Sequence, residues 1–129
     1  MNEPTWLTKE VMLAVQEELL SRFGGPAGVR EESLLDSALG RPKQWFQYEA
    51  PNLFQLAASY AHGIISNHPF ADGNKRSGFM AAYIFLGING QELVASEEHT
   101  VLETMALAAG TSSLSDYAKW LERSSTNSG

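Results

Sequence analysis

Two stretches of this chain, LFQLAASYAHGIISN from Leu53 and SGFMAAYIFLGING from Ser77, carry apolar residues on nearly every side. A helix that is apolar all round has no face to give to water, so it belongs in the interior. Helices over 52–66 and 74–88 are therefore expected to form the centre of the fold, and the rest of the chain must wrap around them. The link between the two, HPFADGNKR at 68–76, has the opposite character. It gathers a histidine, an acid, an asparagine and two cations at the mouth of a buried helix.

The flanking segments read as further helices. Thr8 is a candidate N-cap for an amphipathic helix that reaches Phe23 and stops at Gly24-Gly25-Pro26. A short helix follows over 31–39, closed by Gly40 and Pro42. The stretch 41–51, RPKQWFQYEAP, is bounded by prolines and mixes Lys43 with Trp45, Phe46 and Tyr48. It reads as a loop or short hairpin. Asn52 caps the first central helix, while Ser96 and Ser113 are candidate caps for helices over 97–109 and 113–123. Strand signals are weak throughout. The expected fold is an all-α bundle of about six helices with a short flap near 41–51.

At 129 residues the chain fits one domain, expected over 1–123. The polar end SSTNSG, 124–129, has nothing to bury and is expected to be disordered. The formal net charge of −6 argues against a broad nucleic-acid-binding face. With no cysteine there is no disulfide and no thiolate nucleophile. The opening MNEPTWLTKEV lacks signal-peptide regions, and no apolar run is long enough to span a membrane. A cytoplasmic protein is the expectation.

The loop at 68–77 carries the chemistry. Pro69 stiffens it, Phe70 reads as an inward anchor, and Gly73 permits a backbone shape that other residues resist. The N–H groups from Gly73 to Ser77 fall at a helix N-terminus, where several have no carbonyl partner and the macrodipole is positive. Lys75 and Arg76 add full charges. The sum is a small anion site suited to phosphates. An acid there makes sense if a hard cation accompanies the phosphates, so Asp72 is the expected Mg²⁺ ligand. His68 can take a proton from a hydroxyl near neutral pH. Such a constellation suits transfer of a phosphorus-containing group from a Mg²⁺-nucleotide. The spacing is not that of a Walker A loop or an EF-hand, and His62, His68 and His99 form no zinc pattern.

His68, Phe70, Asp72, Gly73, Asn74, Lys75 and Arg76 together resemble the signature of the Fic/Doc family, HxFx[DE]GN-[GK]-R. The stretches RFGGPAGVREESLLDSALGRP at 22–42 and AAYIFLGINGQEL at 81–93 extend the likeness to the death-on-curing, or Doc, branch. The AMP-transferring branch has a second glycine and a second arginine where this chain has Lys75 and Phe79. The resemblance implies a toxin of a toxin–antitoxin module that transfers the γ-phosphate of ATP to a threonine of elongation factor Tu and halts translation. It implies His68 as base, Asp72 on Mg²⁺, and Gly73, Asn74, Lys75 and Arg76 on phosphates. It also implies that 41–51, with Lys43, Trp45, Phe46 and Tyr48, is a substrate flap, and that an antitoxin tail folds into a groove between helices. Two other readings are an AMP transferase, resting on the shared histidine, acid and arginine, and an inactive family member that binds a partner helix.

Overall fold

The computed structural model describes residues 2–128. The elements run α1 (Lys9–Phe23), α2 (Glu32–Glu49), α3 (Leu53–Asn67), α4 (Asn74–Ile88), β1 (Gln91–Leu93), α5 (Glu97–Ala109), α6 (Leu114–Arg123) and β2 (Ser125–Asn127). Four helices start where a short polar side chain can take an orphan N–H. Thr8 accepts from Val11 at 3.2 Å and Ser96 from His99 at 3.1 Å. Asn52 with Gln55, and Ser113 with Asp116, close full capping boxes.

α3 and α4 form the centre, as their apolar composition requires. Leu56, Ala57, Ala58, Tyr60, Ala61 and Ile64 of α3 are fully buried, as are Ala81, Ala82, Phe85 and Leu86 of α4. Small residues let the two backbones come close. A Cβ at Gly78 would lie 2.8 Å from Ile65 Cγ1 and 3.0 Å from the Ala61 carbonyl oxygen. α2 and α6 pack on α3, and α1 packs on α4. The N-terminal segment straps the bundle. Trp6 stacks on Phe85 at 6.1 Å, and Tyr60 accepts the Leu7 N–H at 3.2 Å. Burial pushes the Tyr60 hydroxyl up to about 12, so it stays neutral and serves that bond. Among the described residues no helix is long and apolar enough to cross a membrane.

The structure corrects the sequence reading in two places. α2 does not end at Gly40 but continues through Pro42 to Glu49, so the expected flap at 41–51 is mostly helix. Leu35, Ala38, Leu39 and Pro42 are buried, and half-buried Phe46 extends the same stripe to meet Trp6 edge-on at 5.6 Å. This 3.6-residue spacing outweighs the hydrogen bond that Pro42 removes. The helix stops at Ala50, which is left-handed (φ 47°), just before Pro51. The second correction concerns the tail. Ser125–Asn127 pairs antiparallel with Gln91–Leu93, with Leu93 opposite Ser125. Val94 donates to the Ser124 carbonyl at 2.6 Å and Ser128 to that of Gly90 at 3.0 Å. Backbone pairing needs no apolar side chain, so the polarity that suggested disorder does not prevent it. Gly129 lies outside the described residues.

Two outcomes follow from the packing. Gly78→Val gains helix propensity but meets Ile65 and Ala61, so urea denaturation is expected to show a loss of ~1–3 kcal/mol. His62, half-buried on α3, is held below the usual imidazole range by burial and then by the Arg41 charge. Because its folded value lies below the unfolded one of about 6.5, this group's contribution is intact above that pH and is lost as pH falls through the folded value. Melting temperatures of His62→Gln should therefore fall less than wild type between pH 7 and 5.

Candidate active site

α3 ends at His68, whose backbone is left-handed (φ 55°, ψ 52°) and whose N–H still reaches the Ile64 carbonyl at 3.0 Å. A non-glycine residue in this region costs about 1–3 kcal/mol unless its surroundings hold it there. Here Arg30 does so, donating from Nε to the His68 carbonyl at 2.9 Å and from Nη2 to that of Asn67 at 3.3 Å. The chain then turns inward. Pro69 and Phe70 are buried, so Phe70 is the anchor its sequence context suggested. Asn74 grips Phe70 at both ends: its Oδ1 accepts the Phe70 N–H and its Nδ2 donates to the Phe70 carbonyl, each at 3.0 Å.

Residues from outside the motif complete the support. The segment from Gly24 to Glu31 runs beside the loop, with Val29 bridged antiparallel to Phe70. Ala71 donates to the Gly28 carbonyl at 3.1 Å and Arg30 to that of Pro69 at 2.7 Å. Gly25 must be glycine, because its φ is +110° and a Cβ would sit 2.5 Å from Asp72 Oδ2. Gln16 of α1 is only 4 % exposed. Its Nε2 donates to the Asp72 carbonyl at 3.0 Å, and its Oε1 accepts from Ser77 Oγ at 2.5 Å. Sequence reasoning passed over Gln16. The available signal was a polar residue four positions after Met12 on the buried stripe of α1.

The chemistry faces a cleft of about 470 Å³ between the start of α4 and α5. His68 and residues 72–76 line one part; Phe79, Thr100, Val101, Thr104 and Met105 line the rest. His68, Asp72, Lys75 and Arg76 are exposed. Gly73 caps α4 in a left-handed conformation (φ 74°) without any side-chain cap. Ser77 N–H bonds the Gly73 carbonyl at 2.9 Å; the N–H groups of Asn74, Lys75 and Arg76 come before any intrahelical carbonyl can reach them. Among the described residues neither Lys75 nor Arg76 forms an ion pair. Arg76 instead lies over the Phe23 ring, 4.2 Å from its centroid. Open donors, a helix N-terminus and two unpaired cations give this part of the cleft a local positive potential.

Not every candidate residue reaches the cleft through its side chain. Asn74 lines it, but its amide is committed to Phe70. Ser77 is fully buried and bonded to Gln16. Lys43, Trp45, Phe46 and Tyr48 sit on α2, and none lines the cleft. Trp45 donates to Glu49 at 2.7 Å, and Tyr48 is exposed. The segment that borders the loop is 24–31. His99 is exposed and bonds Ser96. Among the described residues no three His, Cys, Asp or Glu side chains group to hold a metal. Asp72 fits a cation that takes its remaining ligands from phosphate oxygens and water.

Fold and site together define a helical protein that sets an exposed histidine and an uncapped, cationic helix start at the junction of its two central helices. The chain belongs to the Fic/DOC family, whose sequence model matches residues 6–86. It is 31 % identical over 118 residues to "Protein kinase doc" of Escherichia phage P1, covering 91 % of this chain and 93 % of that protein. It is 43 % identical over 75 residues to "Toxin Doc" of Mycolicibacterium smegmatis, covering 57 % of this chain and 58 % of that protein.

Gln16→Leu would strand the Ser77 hydroxyl and release the Asp72 carbonyl. A denaturant titration is expected to show a loss of ~1–3 kcal/mol, far more than an exposed polar residue would give.

Proposed function

We propose that this chain is a Doc-type toxin that transfers the γ-phosphate of ATP to a protein hydroxyl. The observation that carries this is the pair of unpaired cations, Lys75 and Arg76, on the uncapped start of α4, with His68 and Asp72 exposed on the same cleft. The names of its relatives, a protein kinase and a toxin, support the same reading.

Each residue then has a task. Magnesium–ATP would supply the γ-phosphoryl group, which passes to the hydroxyl oxygen as its bond to the β–γ bridging oxygen breaks and ADP leaves, with Asp72 as the residue that would hold the cation. Lys75, Arg76 and the N–H groups from Asn74 to Arg76 bind and neutralise phosphate oxygens. Phosphoryl transfer asks the protein mainly for positioning and charge stabilisation. His68 accepts the proton of the incoming hydroxyl at its imidazole. Arg30 holds the backbone that carries this imidazole, through the carbonyls of Asn67 and His68.

The choice between phosphate and AMP transfer turns on position 79. The AMP-transferring pattern places a cation there. This chain has Phe79, half-buried, with its ring 6.0 Å from that of Tyr83. Nothing at that position draws the distal phosphates away from His68. The target hydroxyl is proposed to be a threonine of elongation factor Tu, reached in the cytoplasm. A substrate segment would approach along 24–31, the segment bonded beside the loop, rather than along α2. An antitoxin segment would fold against the exposed face of α5, where Val101 and Met105 line the cleft and Leu102 is exposed beside them.

The test uses bacterial lysate, Mg²⁺ and ATP labelled at either the α- or the γ-phosphate. Label is expected on protein from the γ position alone; label from the α position would establish AMP transfer instead. Without transfer from either position, in folded protein free of antitoxin, the chain would be a binding module. His68→Ala is expected to lower transfer by about 10²-fold or more with no change in melting temperature.

A further inference from the structure

Phe23 is the last residue of α1 and is 58 % exposed. A phenylalanine so open to water contributes little to the core, and its removal there costs little stability. What its ring does contact is chemically specific. The Arg76 guanidinium lies 4.2 Å from the ring centroid, well within the range of a cation–π attraction. Among the described residues no carboxylate pairs with Arg76, although the neighbouring Arg22 is paired with Glu18 at 2.8 Å.

The difference between these two partners matters. A carboxylate would take up N–H donors and cancel the charge. An aromatic face restrains the guanidinium plane while leaving its N–H edge and its full charge available. A free arginine side chain would lose rotamer entropy on clamping a phosphate, and one already held loses less. Gly24 follows at once with φ +75°, so α1 ends at this ring and the chain turns away along the loop.

We propose that Phe23 is a positioning residue for Arg76, preorganising it for the phosphates of the nucleotide. The proposal rests on the phosphate-binding reading above. It is tested by calorimetric titration of magnesium–ATP into the full chain, with melting temperature measured in parallel. Arg76→Ala is expected to weaken binding strongly. Phe23→Leu should weaken it about two- to five-fold at unchanged melting temperature, and Phe23→Trp should restore it. In the Arg76→Ala background, Phe23→Leu should have no further effect. Wild-type affinity in Phe23→Leu would overturn the proposal while leaving the phosphate site intact. So would equal losses in the Leu and Trp variants, or an undiminished Phe23→Leu effect without Arg76. If wild type fails to bind magnesium–ATP, or Arg76→Ala binds as tightly as wild type, the phosphate-binding reading itself falls and the proposal with it.

Discussion

The close approach of α3 and α4 is the constraint on which everything else rests. Gly78 meets Ala61 and Ile65 with no space for a side chain, and the alanines on both helices keep the two backbones near each other. That contact holds the two helices side by side, and His68 and Gly73 cap the ends that face each other across the loop. The loop between them therefore has two rigid supports, and a site built there inherits their precision. Catalytic groups on a free surface loop would have to be ordered at each encounter, at an entropic cost.

From that frame, a few hydrogen bonds convert a turn into a chemical site. Asn74 locks the inward bend at Phe70, which leaves Asp72 and Gly73 outside the core. Arg30 holds the carbonyls on either side of the bond between Asn67 and His68, and so supports the left-handed turn at His68. Gln16 ties α1 to both the loop and α4 from beneath. Each bond contributes only about 1 kcal/mol. Their collective effect is directional: Asn74 and Gln16 hold the loop from within the core and Arg30 from the surface, while His68, Asp72, Lys75 and Arg76 stay exposed. The negative chain thereby presents a local cationic pocket without a broad basic face.

Much of this was legible from the residues alone. The caps at Thr8, Asn52, Ser96 and Ser113 are local signals and appear where expected. So do the two interior helices, because an apolar surface on every side has only one place to go. The course of α2 was not legible from its local breakers. Gly40 and Pro42 argue for an end, and only the buried stripe from Leu35 to Pro42 argues for continuation. Strand β2 gave no signal, since its pairing depends on backbone groups rather than side-chain pattern. The motif at 68–76 marked the residues that gather at the cleft but not which of them hold the loop. Asn74 serves the fold through its side chain, and Gln16 acts across 56 positions of sequence. Sequence proximity hid the first role and sequence distance hid the second.

On the proposed function, the start of α4 is a preformed seat for nucleotide phosphates. The most direct measurement is a backbone amide NMR titration of the folded chain with magnesium–ATP. The amides of Asn74, Lys75 and Arg76 are expected to shift most, together with those of the loop from His68 to Gly73. The buried amides of α3 should hardly move. Shifts centred elsewhere on the surface, with 74–76 unchanged at saturating nucleotide, would contradict the account.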